Sequence, residues 1–551
     1  MARNSAIPWY QIFHYQNQDF FDHPQMDRFI IQYLPVFTST SMTESEMFTI
    51  RDMICRGDQD PDRNAIESPG YLPLTYRELR MQIDYGVKEL NAHGFHRNDR
   101  IAIVMPAGPE VAVSIISVMA GFTAVPLNPQ NKEREYADIF SQLGIKALLV
   151  QKGHQTAATV TAKELNLPVI ELVPVFNKAG KFRLMPAVVP LTKKAVFATP
   201  ADIAYILLTS GTTALSKIVP VTQKQSAISR QRMCNASGIT PADRYLHMVP
   251  YYHGMGLGNA LLVPLIAGAT IICTRDFIPS DIIGILKEHR PTIYSAGPAL
   301  HAGILREMKK RPKDELIPNS LRYIRTGTGA LPSHVREELE SLLDVPVIEA
   351  YGMSEAGSLA INLPPKKGSV GKPLVDAIQI LDEDDLPLKP CSTGEIVIKG
   401  ESVFNGYENA PDENKAAFID GWFRTGDLGY LDDDGYLFLT GRKKELINKG
   451  GEKISPSEID AVLKSHPQIR DAMAFGIAEP VLGEDIAAMV VPADERITET
   501  DLRMYLLDRL VQFKVPTRIY FVDEIPKTPT GKPRRYMGTQ RYSENPPKKM
   551  S

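Results

Sequence analysis

The chain has 551 residues, of which 43 % are apolar and 23 % charged. That is an ordinary globular composition with room for several large cores. Its 62 Lys and Arg against 65 Asp and Glu leave a net charge of −3, which excludes a polycation built to coat nucleic acid or an anionic membrane surface. Four cysteines (Cys55, Cys234, Cys273, Cys391) show no CxxC or Cys/His spacing; they give no zinc site or disulfide framework and suit a reducing compartment.

Residues 1–45 are aromatic and polar without a clear period and read as an N-terminal extension. No secretory or peroxisomal signal is expected, and the apolar runs Val111–Leu127 and Ala260–Cys273 are too broken by Ser, Thr, Pro and Gly to span a membrane. The expected location is the cytoplasm. From Phe48, strand-like and helical runs alternate: Arg100–Val104 then Pro109–Ala120, Ala124–Leu127 then Glu133–Leu143, Ala147–Val150 then Thr161–Leu165. Such alternation predicts crossover units and a buried, mostly parallel sheet. The pattern resumes from Ala204 to about Ile361. Between Pro373 and Leu439, short strands (Ala377–Leu381, Glu395–Lys399, Tyr436–Leu439) separated by Gly, Asp and Pro predict a small antiparallel subdomain. After Gly441-Arg442-Lys443-Lys444 comes a small α+β unit: helix Ser457–Ser465, strands Asp471–Gly476 and Asp485–Val491, helix Glu499–Leu510 and strand Arg518–Val522, with a polar tail after Arg535 expected to be mobile. The fold class is therefore α/β. A large N-terminal domain (46–443) of mostly parallel sheets, helices and a small β subdomain precedes a small α+β domain (444–551).

The strand Ile203–Leu208 runs into Thr209-Ser210-Gly211-Thr212-Thr213-Ala214-Leu215-Ser216-Lys217. Hydroxyls around a glycine, closed by a lysine, suit phosphate oxygens; an ordinary polar turn after a strand has the same look. The spacing is not that of a Walker A loop.

Further along lie Glu349-Ala350-Tyr351-Gly352-Met353-Ser354-Glu355 after the strand-like Val345–Ile348, then Gly421-Trp422-Phe423-Arg424-Thr425-Gly426-Asp427, Gly441-Arg442-Lys443-Lys444-Glu445 and Lys527-Thr528-Pro529-Thr530-Gly531-Lys532. Together with the hydroxyl loop, these segments in this order resemble the adenylate-forming superfamily of acyl-CoA synthetases, peptide-synthetase adenylation domains and luciferases. The resemblance covers about residues 48–540 and is strongest to ligases of the oxalate–CoA and coumarate–CoA type.

What the resemblance implies is a two-step reaction: a carboxylate attacks the α-phosphorus of ATP and releases pyrophosphate, then a thiol attacks the acyl-adenylate and releases AMP. Bringing two anions together calls for cations and hydrogen-bond donors more than for a strong base. By resemblance, Thr209, Ser210, Gly211, Thr212, Thr213 and Lys217 hold the β/γ phosphates. Glu355 meets Mg²⁺, as a carboxylate suits a hard cation. Ser354 donates to the α-phosphate, Tyr351 faces adenine, Asp427 accepts from the ribose and Arg442 adds a second ribose or phosphate contact. Thr328, Gly329, Glu349, Ala350 and Gly352 complete the nucleotide wall. Lys532 reaches the α-phosphate and carboxylate during adenylation, as a long flexible point charge can. Lys444 is the implied hinge, although it also reads as one more charge in a basic run. Rotation there withdraws Lys532 and brings Gly450 and Gly451 towards the thiol of coenzyme A.

The acid pocket is placed by the same resemblance at Tyr252, His253 and Gly254, with Ser295, Gly297, Gly327 and Met353 as further walls. Tyr251 and Tyr252 also fit plain core packing. No Asp stands beside the aromatic segment, which disfavours an α-amino acid. Gly357-Ser358 stands where oxalate-type members carry a His, which disfavours oxalate. The loop departs from the family's Thr-Gly-x-Pro-Lys-Gly, reading Thr213-Ala214-Leu215-Ser216-Lys217-Ile218. The expected activity is an AMP-forming ligase joining a small carboxylic acid to CoA, using ATP, Mg²⁺ and coenzyme A, without nucleic acid. The alternatives are a stand-alone enzyme loading a carrier protein's phosphopantetheine thiol, an enzyme running mainly the thioester step on a supplied acyl-adenylate, and a non-catalytic binding protein.

Overall fold

The computed structural model describes residues 49–55, 60–187, 194–209, 217–275, 277–316, 319–493, 497–528 and 531–544. The extension 1–45 and residues 210–216 of the hydroxyl loop lie outside them.

Four sheets organise the described residues. The expected α/β alternation gives two large ones. In the seven-stranded sheet, Arg100–Val104 is flanked in parallel by Ala147–Gln151 and Thr123–Pro126, and the edge is the antiparallel pair Ile203–Thr209 and Lys217–Thr222. In the nine-stranded sheet, Thr270–Cys273, Arg244–His247, Ile293–Ala296, Tyr323–Thr326 and Val347–Met353 run parallel, in that order. The helix Pro109–Met119 is buried at all eleven positions, as expected of a segment that is apolar all round. It meets the helix Tyr76–Ala92 at Gly86, where an added Cβ would lie 2.8 Å from Ser117 Cβ. Thr75 and Glu78 form a capping box that starts the latter helix.

The 373–439 segment is the expected small antiparallel sheet: Ala377–Leu381 pairs with Gly394–Lys399, which pairs with Trp422–Leu431. The strand Leu437–Arg442 completes it on Trp422–Leu431. The C-terminal unit has its own sheet, built on the antiparallel pair Ile469–Glu479 and Gly483–Pro492, with Arg518–Phe521 added in parallel. Helices Pro456–Lys464 and Glu499–Leu507 bury one face of this sheet.

Three local expectations are corrected. The chain after Arg535 is not a mobile tail up to Glu544: Arg535–Glu544 is a helix. Its Tyr542 stacks on Tyr520 at 3.9 Å and joins Phe475 and Met489 in a second small core. Arg535 anchors its start on Glu445 (2.7 Å) and Asp460 (2.8 Å). Polar composition hid this, because Tyr536, Met537 and Tyr542 are the only apolar side chains in these ten residues. Next, the helix placed at Thr161–Leu165 spans Ala157–Glu164, since Ala157-Ala158 has no periodic signal. Finally, the strand beginning at Val347 runs on through Tyr351 to Met353 and pairs antiparallel with Gly357–Ile361, so part of the expected loop is sheet edge.

Candidate active site

A cleft of about 3270 Å³ lies between the large N-terminal body and the C-terminal unit. Its floor is formed at the carboxyl ends of the parallel strands, by residues 252–255, 298–299, 326–331 and 350–355. This is where open α/β sheets place ligands. The antiparallel pairing of Trp422–Leu431 with Leu437–Arg442 brings Asp427 directly opposite Arg442.

These strands put one charged group together. Asp427 is 5 % exposed. It takes Arg442 Nε on Oδ1 at 2.8 Å, and Tyr351 Oη donates to its Oδ2 at 2.5 Å. Burial, followed by the Asp427 charge, pushes the Tyr351 phenol well above its ordinary value, so it stays a donor. Thr425 Oγ1 accepts from the Asp427 amide at 3.1 Å and donates to Ile396 O at 2.8 Å. Glu355, buried in the turn after Met353, accepts from Tyr407 Oη at 2.9 Å. The ring of the same tyrosine lies 4.1 Å from Lys217 Nζ. Burial and the nearby Lys444 lower the Lys217 pKa, with Glu355 and Glu413 opposing.

Lys532 comes from the C-terminal unit. Its turn is closed by the Thr528 N–H···O bond to Lys532 (2.8 Å) and the Lys532 N–H···Oγ1 bond to Thr528 (3.1 Å). At the adjacent Gly531, an added Cβ would lie 3.6 Å from Ala299 of the N-terminal body. The side chain is open to the cleft's water, yet surrounding protein lowers its pKa. Arg442 adds to that shift, and Asp427, Glu355 and Glu445 oppose it. Lys532 thus shares one field with the Asp427 and Glu355 clusters.

On the other side of the floor stands His253. Its Nε2 is buried without a partner among the described residues, and its ring packs on Tyr252 at 4.5 Å. Burial, then Lys532, push its pKa down to about 4, so it is neutral near pH 7. Thr328, in the wall Thr326–Leu331, has φ +67°, a left-handed conformation that is uncommon outside glycine.

Of the sequence-predicted residues, Thr209, Lys217, Tyr252, His253, Gly254, Gly327, Thr328, Gly329, Glu349, Ala350, Tyr351, Gly352, Met353, Ser354, Glu355, Asp427, Arg442, Lys444 and Lys532 all line this cleft. Ser295 and Gly297 do not. Ser295 is fully buried, bonded to the Tyr245 hydroxyl and accepting from Arg325 Nε at 3.0 Å; the pocket wall starts at Pro298 and Ala299 instead. Gly450 and Gly451, the turn between Ile447–Lys449 and Glu452–Ile454, lie off the cleft beside Leu482. Ser210, Gly211, Thr212 and Thr213 fall outside the described residues. Sequence reasoning missed Tyr407 and Arg230, both in the cleft wall. Arg230 carried a usable signal: it sits on the stripe Ala227–Arg230–Met233–Cys234–Ser237, the buried face of its helix.

Residues 56–408 match the family model of AMP-binding enzymes, and residues 458–532 match that of the AMP-binding enzyme C-terminal domain. The chain belongs to the AMP-binding enzyme family. An oxalate–CoA ligase of Arabidopsis thaliana is 36 % identical over 88 % of this chain and 97 % of its own length. A sulfoacetate–CoA ligase of Cupriavidus necator is 32 % identical over 90 % and 98 %. ATP-bound MatB from Rhodopseudomonas palustris superposes with a TM-score of 0.81 at 26 % identity, covering 90 % of this chain and 99 % of that one. O-succinylbenzoate coenzyme A synthetase from Bacillus subtilis, solved with ATP and magnesium, gives 0.74 at 28 % over 89 % and 98 %. Within the family the chain is an AMP-forming acid–thiol ligase that uses ATP, magnesium and coenzyme A. Among the described residues, no helix is long and apolar enough to cross a membrane.

Proposed function

We propose that this cleft activates a small carboxylic acid as its adenylate with Lys532 in place, and then passes the acyl group to CoA after the C-terminal unit turns about Lys444. The observation that carries the reading is Lys532: a residue of the small unit sits in the same field as Asp427, Arg442, Glu355 and His253.

In the first step a carboxylate oxygen bonds to the α-phosphorus of ATP and the bond to pyrophosphate breaks. Asp427, oriented by Arg442 and Tyr351, accepts the ribose hydroxyls, which suits an acceptor-only carboxylate. Lys217, propped on Tyr407, faces the outer phosphates with the hydroxyl loop. Lys532 adds a positive charge where the two anions meet. His253, neutral at its low pKa, offers a ring edge to the acid without adding charge. No group of three or more His, Cys, Asp or Glu among the described residues forms a metal site. Glu355 as a single buried carboxylate fits Mg²⁺, which takes most of its ligands from phosphates and water. When bound, the ion neutralises phosphate charge.

In the second step the CoA sulfur bonds to the acyl carbon and AMP leaves. Gly450 and Gly451 lie off the cleft in the present arrangement, which is why the reading includes rotation between a body of 46–443 and a unit of 444–551. Hinges need only a few residues that absorb a φ/ψ change. Four free thiols suit a cytoplasmic location.

The test is pyrophosphate release with Mg·ATP, CoA and a panel of acids, followed by detection of the acyl-CoA. Acid-dependent release with acyl-CoA formed supports the reading. Release with acyl transfer only to a carrier protein, or thioester formation only from supplied acyl-adenylate, overturns it.

A further inference from the structure

Even half-buried arginines elsewhere in the protein meet carboxylates: Arg244 pairs with Glu67, Arg322 with Asp243, Arg424 with Glu395 and Arg535 with Asp460. Two arginines lining the cleft do not. Arg230 is 2 % exposed and Arg325 is 1 % exposed, and among the described residues neither has a carboxylate within ion-pair distance. Arg230 Nη1 donates to Asn259 Oδ1 at 2.9 Å, and its Nε is buried without a partner. Arg325 Nε is spent on Ser295, and both its Nη atoms are buried without partners. A guanidinium withdrawn from water without a counter-charge is costly.

The surroundings of Arg230 are shaped around it. An added Cβ at Gly258 would lie 2.3 Å from Arg230 Nη1, and one at Gly357 would lie 2.4 Å from Nη2. The two glycines therefore leave the space that the guanidinium fills. Gly258 belongs to the π-helix Met255–Leu262, which directly follows the Tyr252-His253 segment; π-helical turns are often found at functional sites. Gly357 follows Glu355 by two residues. Asn259 Oδ1 is fully engaged, because it also accepts from Ser358 Oγ at 2.7 Å. Asn259 therefore has only its amide hydrogens left to offer. The floor beside the acid pocket is a set of donors lacking an anion. Met255 packs beside Gly327, its Sδ 3.6 Å from where an added Cβ would sit.

We propose that the acid this enzyme activates carries a second anionic group, a carboxylate or sulfonate, and that Arg230 holds it with Asn259 while the reacting carboxylate faces Lys532. The proposal rests on the acid–CoA ligase reading and names its substrate class. A dianionic acid supplies the counter-charge the fold lacks. A monocarboxylate leaves Arg230 unpaired, and truncating one partner of a buried charge pair is costly.

The experiment uses the full chain and compares kcat/KM for malonate, succinate and sulfoacetate with propionate, butyrate and benzoate. In the wild type the dianionic acids should lead the monocarboxylates by about 100-fold or more. In Arg230→Met that ratio should collapse towards one through KM, and Arg230→Lys should restore part of it. Wild-type preference for monocarboxylates, or equal loss of every acid in Arg230→Met, overturns the proposal. Thermal unfolding without ATP gives a second readout, independent of turnover. A melting-temperature rise with succinate but not butyrate, absent in Arg230→Met, supports the site even if no acid releases pyrophosphate, in which case only the ligase reading fails. No rise with any dianionic acid, or an equal rise with succinate and butyrate, overturns it.

Discussion

The two halves of the cleft floor solve opposite problems. On the side proposed for the nucleotide the two buried carboxylates already have protein partners: Asp427 holds Arg442 and Tyr351, and Glu355 holds Tyr407. On the side proposed for the acid, Arg230, Arg325 and His253 keep buried donors or ring nitrogens without partners among the described residues. The nucleotide half is thus fixed in geometry before any ligand arrives, whereas the acid half holds its shape by packing and leaves its electrostatics to the substrate. A preorganised polar network aimed at developing charge is the commonest route to large rate effects. An unsatisfied one can be strongly selective, because the wrong ligand leaves it unpaired.

The largest effect should come from removing the charge that joins the halves. Lys532→Ala should lower acid-dependent pyrophosphate release by about 10²–10³-fold, while thioester formation from preformed acyl-adenylate survives. Equal loss of both steps would sink the two-arrangement reading. Next in size is Asp427→Asn, which strands Arg442 and weakens the Tyr351 bond. Hydrogen bonds to charged groups are worth about 1.5–3 kcal/mol, so the KM for ATP should rise on the order of 10–100-fold with little change in the ratio among acids. A change in that acid ratio would mean the two halves are not separable.

The buried histidines make a pH prediction. Burial pushes His247, His253 and His301 down to about 4, against about 6.5 in the unfolded chain. Between those values the unfolded state binds the protons and the folded state does not. Stability is therefore fully present above about pH 6.5 and falls as pH drops towards 4, by up to about 1.4 kcal/mol per pH unit for each histidine. His301, fully buried against Tyr294, gives the cleanest check. His301→Leu should flatten the slope of urea stability against pH over that range, whatever it does to stability at pH 7. An unchanged slope would rule the assignment out.

Much of this was legible in the sequence, for different reasons in the two halves. Strands such as Arg100–Val104 and Ala377–Leu381 were placed to the residue, because buried parallel runs and turn-bounded alternation are strong local signals. Asp427, Arg442, Glu355 and Lys532 stand in short runs with glycine and proline punctuation, so the family resemblance picks them out, and all four line the cleft. Arg230 stands in a helix with no such punctuation, and its meaning depends on Gly258 and Gly357, which only the fold brings to it. Ser295 failed for the converse reason: a small residue at a strand end reads as a pocket wall, but the neighbouring Arg325 and Tyr245 occupy its hydroxyl. Tyr407 stands in the short run Gly406-Tyr407-Glu408, and nothing local ties it to Lys217 or Glu355.

That tyrosine gives the smallest and sharpest test of the nucleotide side. It does two things with one side chain: the hydroxyl donates to Glu355 and the ring lies under Lys217. Tyr407→Phe removes only the first. A neutral donor's net worth is about 0.5–1.5 kcal/mol, so a shift of about 3–10-fold in the Mg²⁺ concentration needed for half-maximal pyrophosphate release is expected, with the KM for ATP at saturating Mg²⁺ almost unmoved. Tyr407→Leu removes the ring as well. A cation–π contact adds about 0.5–2 kcal/mol, so this variant should also raise the KM for ATP. If Phe and Leu behave alike on both readouts, Lys217 does not depend on the ring. The nucleotide half would then be preorganised at Asp427 but not at the outer phosphates.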